Sequence, residues 1–558
     1  MLPSDIERAM ETDDEDISNY DVDEFDIANL GYDWSSDKNT LIGLMDESKL
    51  NDAKDWLKRQ KQEYVSKEPD IEEGVDFNTC NAGQKKFYHF ICDWIQMRID
   101  NAAHEPIYSI LSGRAGCGKT YVVKCIQKFI KEKKCKEGFL KLAAPTGAAA
   151  FLIKGSTLHS LLDLPIKIPF DKVIPALPET KLMRLQEVFR NTEILIIDEM
   201  SMVGQYMLYQ IHKRLQDAKP HKSTEPFGGV SIVLMGDFAQ LPPVTDTPLF
   251  VEKGKGKKTS KQQLMGRFLY TNYFDKCFTL NEIMRQRGED QATFRDILDR
   301  VANGNFTEKE YKTLKEKCLS MDSDEAIDKF KDAVKLCAYN NHAVSYNIQK
   351  IKDLKKPIAL IAATNTQGAK KFSASRAGGL HNKTIFCKDA KVMLLSNLWS
   401  EQGLTNGSNG FVRYIVYDEN SKPPELPKFV LVYFPLYTGP DFLTVAGEKL
   451  VPIVPIMRSW FIKNTEHQRT MLPLIPSYAI SIHKSQGQTM DKIILDLGDG
   501  EFAPGLTYTA LSRAKKLENI AFDPFPSMLR IANIRKYQAR LDEEQRLINK
   551  EAQRIRKI

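Results

Sequence analysis

Gly113-Arg114-Ala115-Gly116-Cys117-Gly118-Lys119-Thr120 lies between the apolar run Ile107-Tyr108-Ser109-Ile110-Leu111 and Tyr121-Val122-Val123-Lys124-Cys125-Ile126. The order predicts strand, glycine-rich loop, helix, with G-x-x-x-x-G-K-T at the joint. Glycines let backbone N–H groups curl around phosphate oxygens, and the N-terminus of the new helix favours negative charge. Lys119 is placed to reach the β- and γ-phosphates, and the Thr120 hydroxyl to ligate Mg²⁺. All eight residues, Gly113 through Thr120, are candidate nucleotide-binding positions.

Working outward, Glu193-Ile194-Leu195-Ile196-Ile197-Asp198-Glu199 reads as a buried strand running into two carboxylates. A phosphate loop needs such a neighbour, with Asp198 as the second Mg²⁺ ligand and Glu199 polarising the attacking water. A third strand, Val230-Ser231-Ile232-Val233-Leu234-Met235, ends in Gly236-Asp237-Phe238-Ala239-Gln240. Gln240 there is positioned to sense the γ-phosphate. Upstream, Asn81 caps a helix containing Gln84, whose amide can both donate to and accept from an adenine edge. Leu140-Lys141-Leu142-Ala143-Ala144 predicts a short strand, followed by Pro145-Thr146-Gly147-Ala148-Ala149-Ala150. Small residues there allow close approach of a nucleic-acid backbone, and Thr146 can bind phosphate. Thr157 and His159, in Gly155-Ser156-Thr157-Leu158-His159-Ser160, offer similar groups. After Leu280-Asn281-Glu282-Ile283-Met284-Arg285-Gln286-Arg287, an amphipathic helix is expected through Phe294, Ile297, Leu298 and Val301.

The chain has 558 residues, 42% of them hydrophobic and 27% charged, ordinary values for a globular protein of several domains. No apolar run is long enough for a membrane span, and the acidic N-terminus resembles neither a secretory signal nor a transit peptide. Nine cysteines without C-x-x-C pairs are expected to be free thiols in a reducing intracellular compartment. Residues 1–50 hold 15 Asp/Glu against 3 Lys/Arg, a net of −12 within a chain of +6, which leaves +18 for residues 51–558. Such a body favours a polyanion, and such a head is expected to stay disordered or to fold on a partner. Residues 529–558, with 9 Lys/Arg and 4 Asp/Glu, are expected to form a basic, solvated helix, with DNA contact as the alternative.

The ordered set resembles superfamily-one DNA helicases, specifically the Pif (petite integration frequency) family of the RecD-like branch. It is carried by GRAGCGKT (113–120), APTGAAA (144–150), IIDEMSM (196–202), PFGGVSIVLMGDFAQLPPV (226–244), SIHKSQGQT (481–489) and YTALSRA (508–514), and covers roughly residues 76–525. The resemblance implies an α/β fold of two RecA-like P-loop domains with parallel sheets. It places a small wedge subdomain in the first and a small Src-homology-three-like β-barrel in the second. The expected boundaries are an acidic, disordered segment at 1–60 and a first RecA-like domain at 61–275 with a wedge at about 155–185. The second RecA-like domain takes 276–395 and 472–528, the barrel 396–471 and the basic C-terminal helix 529–558. Gln84 becomes an adenine reader, Gln240 the γ-phosphate sensor, and Arg285 and Arg513 the paired arginines reaching ATP. Gly487 joins the nucleotide-binding set. Pro145, Thr146, Gly147, Thr157, His159, His483, Lys484 and Ser485 become contacts to the strand.

The implied activity is ATP- and Mg²⁺-dependent translocation, 5′ to 3′, on single-stranded DNA with unwinding of duplex junctions, in replication, repair, recombination or telomere maintenance. Implied partners are DNA and, through the acidic head, replication or repair proteins, with no membrane and a monomeric or weakly oligomeric chain. The expected compartment is the nucleus in a eukaryotic setting and the cytoplasm otherwise. Two alternatives compete. One is a helicase module serving a transposon or viral replication system, although nine histidines without an H-x-H pair argue against a nuclease within this chain. The other is a nucleotide-gated DNA-binding ATPase that does not unwind.

Overall fold

The computed structural model describes residues 32–64, 75–101, 104–165, 169–252, 259–286, 288–321, 323–374, 376–462, 465–534 and 536–556. Two compact units divide the chain: the first takes its described residues from 69–332 and 485–558, the second from 8–68 and 333–484.

The first unit is built on six parallel strands, β1 (Tyr108–Gly113), β2 (Leu140–Ala144), β3 (Ser156–Thr157), β4 (Ile194–Ile197), β5 (Ser231–Gly236) and β6 (Lys276–Leu280), in the order β3-β2-β4-β5-β1-β6. Their sequences are near-continuous apolar runs because helices cover both faces of a parallel sheet. Ile194, Leu195, Ile196 and Ile197 are all fully buried, dividing alternately between the two cores on either side. Helix α1 (Ala82–Asp100) starts in a capping box formed by Asn81 and Gln84. The others that frame the site are α2 (Lys119–Glu132), α3 (Gln205–Ala218), α4 (Lys261–Tyr273), α5 (Ala292–Asn303), α6 (Leu506–Leu511) and α7 (Gln538–Ile555). Helix α5 buries Phe294, Ile297, Leu298 and Val301, the four positions its period marks. A further parallel set pairs Ile493–Asp496 with Ile520–Phe522, and the latter with Leu319–Ser320.

Within the expected wedge, Ser156–Thr157 pairs with β2 as the edge strand of the main sheet, so the departure from α/β rhythm starts later. The described residues 169–178 form an irregular loop fastened to α3: Tyr206 donates to the Lys172 carbonyl at 3.2 Å and Arg214 to that of Pro175 at 2.9 Å. The C-terminal helix also differs from expectation. Instead of a solvated face, α7 buries Arg540, Glu543 and Leu547, with Leu547 in the core beneath the main sheet.

In the second unit, Val334–Cys337 and Ala479–Ser481 form a parallel pair, and Asn340–Asp353 follows the first as a helix. Six antiparallel strands span Lys391 to Pro476, and a hairpin joins Ile456–Ile462 to Thr465–Met471. Lys391–Leu394, with Val392, Met393 and Leu394 buried, pairs antiparallel with Asn409–Val416 and Leu474–Pro476. It therefore belongs to this antiparallel sheet, ahead of the expected boundary at 396.

The disordered segment expected through residue 60 is corrected over 32–60, while residues 1–31 lie outside the described residues. Helices Ser36–Ile42 and Glu47–Glu63 bury Leu41, Leu50, Ala53 and Trp56 in the core of the second unit. Asp37 accepts from the Ile415 amide at 2.8 Å, and Lys61 donates to the Leu398 carbonyl at 2.8 Å. The overall charge of the head hides this amphipathic stripe. Trp56 packs edge-on against Phe442 with ring centroids 5.6 Å apart. Trp56→Ala should therefore destabilise the second unit by about 3–5 kcal/mol in a urea titration; a change within ~0.5 kcal/mol would show that these helices are not part of its core.

Candidate nucleotide and nucleic-acid site

The strand order decides what can meet. The phosphate loop follows β1, Asp198 and Glu199 follow β4, and Asp237 and Gln240 follow β5, so the carboxyl ends of three adjacent strands carry the chemical groups. Beyond β1, the tail of β6 brings Arg285. On the opposite side, β2 and β3 lead into Pro145–Gly147 and Thr157–His159. Ligand sites of open parallel sheets form along this carboxyl edge.

The phosphate loop curls tightly. Gly116 and Gly118 have φ of 85° and 80°, where a side chain is strained, and a Cβ on Gly118 would lie 2.4 Å from Gln84 Nε2. The Met284 and Arg285 amides donate to the Gly116 carbonyl at 2.8 and 3.0 Å, tying the β6 tail to the loop. Lys119 folds back, donating to the Gly113 and Arg114 carbonyls at 2.7 and 3.2 Å. Burial alone would lower its pKa, but Cys117, Asp237, Asp198 and Glu199 outweigh burial and hold the ammonium charged. Gln84 is 1% exposed. Its Oε1 accepts from the Asn81 amide at 2.9 Å, and its Nε2 faces the Cys117 and Gly118 carbonyls at 3.3 Å. In this conformation Gln84 holds helix α1 to the loop with the same amide that an adenine contact would use.

Glu199 takes a left-handed backbone conformation (φ 53°, ψ 49°), uncommon for a residue with a Cβ, and its amide bonds the Asp198 carboxylate at 2.8 Å. Burial first, and Asp198 second, push the Glu199 carboxyl up from its usual range. Asp198 is raised by burial, opposed by Lys119.

The two arginines also converge here. Arg285 donates to the Ser512 carbonyl at 2.8 Å. Arg513 is 1% exposed and donates to the carbonyls of Thr509 at 2.9 Å and Gln488 at 3.1 Å, and to Gln240 Oε1 at 3.3 Å. Burial and the neighbouring Arg285 lower its pKa to about 10. The structure thus brings together Lys119, Asp198, Glu199, Gln240, Arg285 and Arg513 in one unit.

Two residues to which the sequence assigned no role complete the set. Asp237 is 2% exposed, and its Oδ2 accepts from the Ala115 amide at 2.8 Å and the Tyr508 hydroxyl at 2.7 Å. The Ala115 amide also reaches the Tyr508 oxygen at 3.1 Å. The available signals were a Gly-Asp pair at a strand end and a tyrosine inside YTALSRA.

The nucleic-acid candidates are more dispersed. Thr146 and Thr157 cap the short helices Gly147–Leu152 and Leu158–Leu161, accepting from Ala149 at 3.3 Å and Ser160 at 3.2 Å. Pro145 is half-buried and Gly147 buried. Burial lowers the pKa of His159, and that of His483 to about 4, keeping both imidazoles neutral at physiological pH. In the second unit Lys484 is exposed and His483 half-buried. Ser485 is fully buried and its carbonyl faces Arg513 at 3.4 Å, so a strand contact there requires this segment to move. The nearest neighbour of Gly487 is Ala149, at 3.5 Å from a Cβ built on the glycine, which puts it by the β2 end and not on the phosphate loop.

A model described as PIF1-like helicase matches residues 79–312. The chain is 29% identical over 438 residues to the ATP-dependent DNA helicase PIF1 of Danio rerio, covering 77% of this chain and 61% of that protein. It is 28% identical over 426 residues to the ATP-dependent DNA helicase Pif1 of Bdellovibrio bacteriovorus, covering 74% and 84%. The chain thus spans about three fifths of the fish relative and most of the bacterial one. The crystal structure of a Bacteroides Pif1 helicase with ADP-AlF3 and ssDNA superposes with a TM-score of 0.59 at 26% identity, covering 82% of this chain and 96% of that one.

The Asp237 bridge gives a test independent of any ligand. Tyr508→Phe removes one donor from a buried carboxylate and should cost about 1–3 kcal/mol of stability. Asp237→Ala removes the acceptor shared by the Tyr508 hydroxyl and the Ala115 and Ala239 amides and should cost more. Equal, near-zero effects in denaturant titrations would contradict the bridge.

Proposed function

We propose that this chain, which belongs to the PIF1-like helicase family, is an ATP-driven motor that moves 5′ to 3′ on single-stranded DNA and separates duplex ahead of it. The observation that carries the reading is the convergence of Lys119, Glu199, Gln240, Arg285 and Arg513 on the carboxyl edge of one sheet. A loop with one acidic strand would suit many nucleotide-binding proteins; two arginines drawn in from distant sequence suit a hydrolase whose chemistry moves other segments. The names of the fish and bacterial relatives, and the ADP-AlF3 and ssDNA bound to the Bacteroides protein, support it.

In this reading the amides of Gly113–Thr120 cradle the phosphates, and Lys119 leaves its two loop carbonyls for the β- and γ-oxygens. Thr120, at the first turn of α2, and Asp198, at the end of β4, would hold Mg²⁺. Among the described residues no cluster of three or more His, Cys, Asp or Glu could cage a metal. That donor set fits an ion that takes its remaining ligands from phosphate and water. When bound, Mg²⁺ would neutralise charge on the β- and γ-oxygens. Glu199, made more basic by burial and by Asp198 against the opposing pull of Arg513 and Lys119, accepts a proton from the attacking water. Arg285 and Arg513 turn from their carbonyl partners to the transferring phosphoryl group.

Gln240 links chemistry to motion. It touches Arg513, whose guanidinium also binds the carbonyls of Ser485 and Gln488, and that segment runs directly from His483 and Lys484. Loss of the γ-phosphate at Gln240 therefore pulls on the residues proposed to grip the strand. Contacts to phosphates, from Thr146, Thr157, His159 and Lys484, grip without reading sequence, and affinity should fall with salt in proportion to the cations engaged, Lys484 among them. The loop at 169–178, with Pro169, Pro175 and Pro178 and fastened to α3, is proposed as the wedge at the duplex junction.

Lys119→Ala should abolish ATP hydrolysis, at least about 100-fold, while single-stranded DNA still binds. Unchanged turnover would overturn the site. Deleting the loop at 169–178 should spare DNA-stimulated hydrolysis and abolish strand displacement; retained displacement would reject the wedge.

A further inference from the structure

Helix α7 reaches the nucleotide site. Its Glu544 Oε1 accepts from Arg114 Nη1 of the phosphate loop at 3.0 Å, and its Oε2 from Arg540 at 2.8 Å. Arg114 Nη2 donates to Asn303 Oδ1 at 3.0 Å, and Arg540 donates to the Ala302 carbonyl at 2.5 Å. Asp237 and Asp299 stand 3.7 and 3.6 Å from the same Arg114 guanidinium. The helix is held independently of this contact: Tyr270 donates to Glu543 at 2.5 Å, and the Arg554 guanidinium lies 3.6 Å from the centre of the Phe278 ring on β6. Glu544 is thus offered to the loop from a fixed support.

Arg114 has two attachments. Its carbonyl is one of the two that hold Lys119 back, and its side chain is anchored to α7. Burial would lower its pKa, but Asp237 and Glu544 outweigh that and hold it above the usual value. Three carboxylates around one arginine cancel its attraction for another anion. A loop built to receive phosphates therefore carries a cation whose charge is engaged elsewhere.

We propose that Glu544 is a positioning residue for the nucleotide site: by engaging Arg114 it withholds that charge from the phosphates, so that the C-terminal helix limits how tightly nucleotide is held. Easing this grip strengthens nucleotide binding, and a motor that must release ADP each cycle gains from the restraint. The inference rests on Gly113–Thr120 being the nucleotide site.

The test is a titration of the full chain with a fluorescent N-methylanthraniloyl ADP and Mg²⁺. Glu544→Gln should tighten binding by about two- to fivefold, the scale of one partly exposed charge pair. The gain should shrink as salt is raised. Asp299→Asn, at an exposed position, should shift affinity in the same direction by less. In an Arg114→Ala background, Glu544→Gln should change nothing. A role in folding alone would weaken binding and lower the melting temperature, so the sign separates the two. Unchanged or weaker binding in Glu544→Gln, or the same tightening without Arg114, would overturn the inference. Failure of the parent chain to bind the probe would instead overturn the nucleotide site itself.

Discussion

A single buried carboxylate, Asp237, joins the parts of the nucleotide site. It stands at the end of β5, takes the Ala115 amide of the phosphate loop and the Tyr508 hydroxyl of α6, and lies 2% exposed. A carboxyl group so placed must be hydrogen-bonded, because leaving a buried polar group unpaired is penalised. Its donors come from segments almost 400 residues apart in sequence. Satisfying one side chain therefore fixes the register between the loop and the helix that presents Arg513. The same geometry explains why chemical groups scattered from residue 113 to residue 513 converge without a long loop to carry them.

The phosphate loop in this conformation is satisfied by the protein itself. Lys119 bonds loop carbonyls, Arg513 bonds the turn that bears it, Arg285 bonds Ser512, and Gln84 completes a helix cap. In the proposed function a nucleotide would replace these bonds with its own, and its binding energy would reorganise the segments that carry them. Bonds that are exchanged cost little net free energy, whereas groups left unpaired would cost about 1–3 kcal/mol each. Coupling between phosphate chemistry and distant segments would follow from this exchange. Gln240 accepts from Arg513, which in turn holds the 485–488 turn, so the proposed change would pass along these bonds.

Much of this was legible in the sequence, because periodicity and glycine placement are local. The strands at 108–113, 194–197 and 231–236, the capped helix at 82 and the amphipathic helix through Val301 follow their patterns. Free thiols also agree, since none of the nine cysteines forms a disulfide. What could not be read depends on tertiary partners. Asp37, Leu41 and Leu50 sit inside an acidic head whose composition suggests a solvated tail, and only the second unit gives them partners. Lys391–Leu394 shows the same apolar run whether its neighbours are parallel or antiparallel. The arginines of α7 look like a basic surface until Glu543, Glu544 and Phe278 are seen to hold three of them. Gly487 belongs to a recognisable motif, but only the backbone shows that it abuts Ala149.

The most direct measurement is single-turnover unwinding of a DNA duplex carrying a single-stranded tail at either the 5′ or the 3′ end, with ATP and Mg²⁺ present. A motor organised around this site should separate the 5′-tailed substrate, leave the 3′-tailed one paired, and do neither without ATP. Unwinding of the 3′-tailed duplex alone, or ATP hydrolysis with no strand separation on either substrate, would contradict the account.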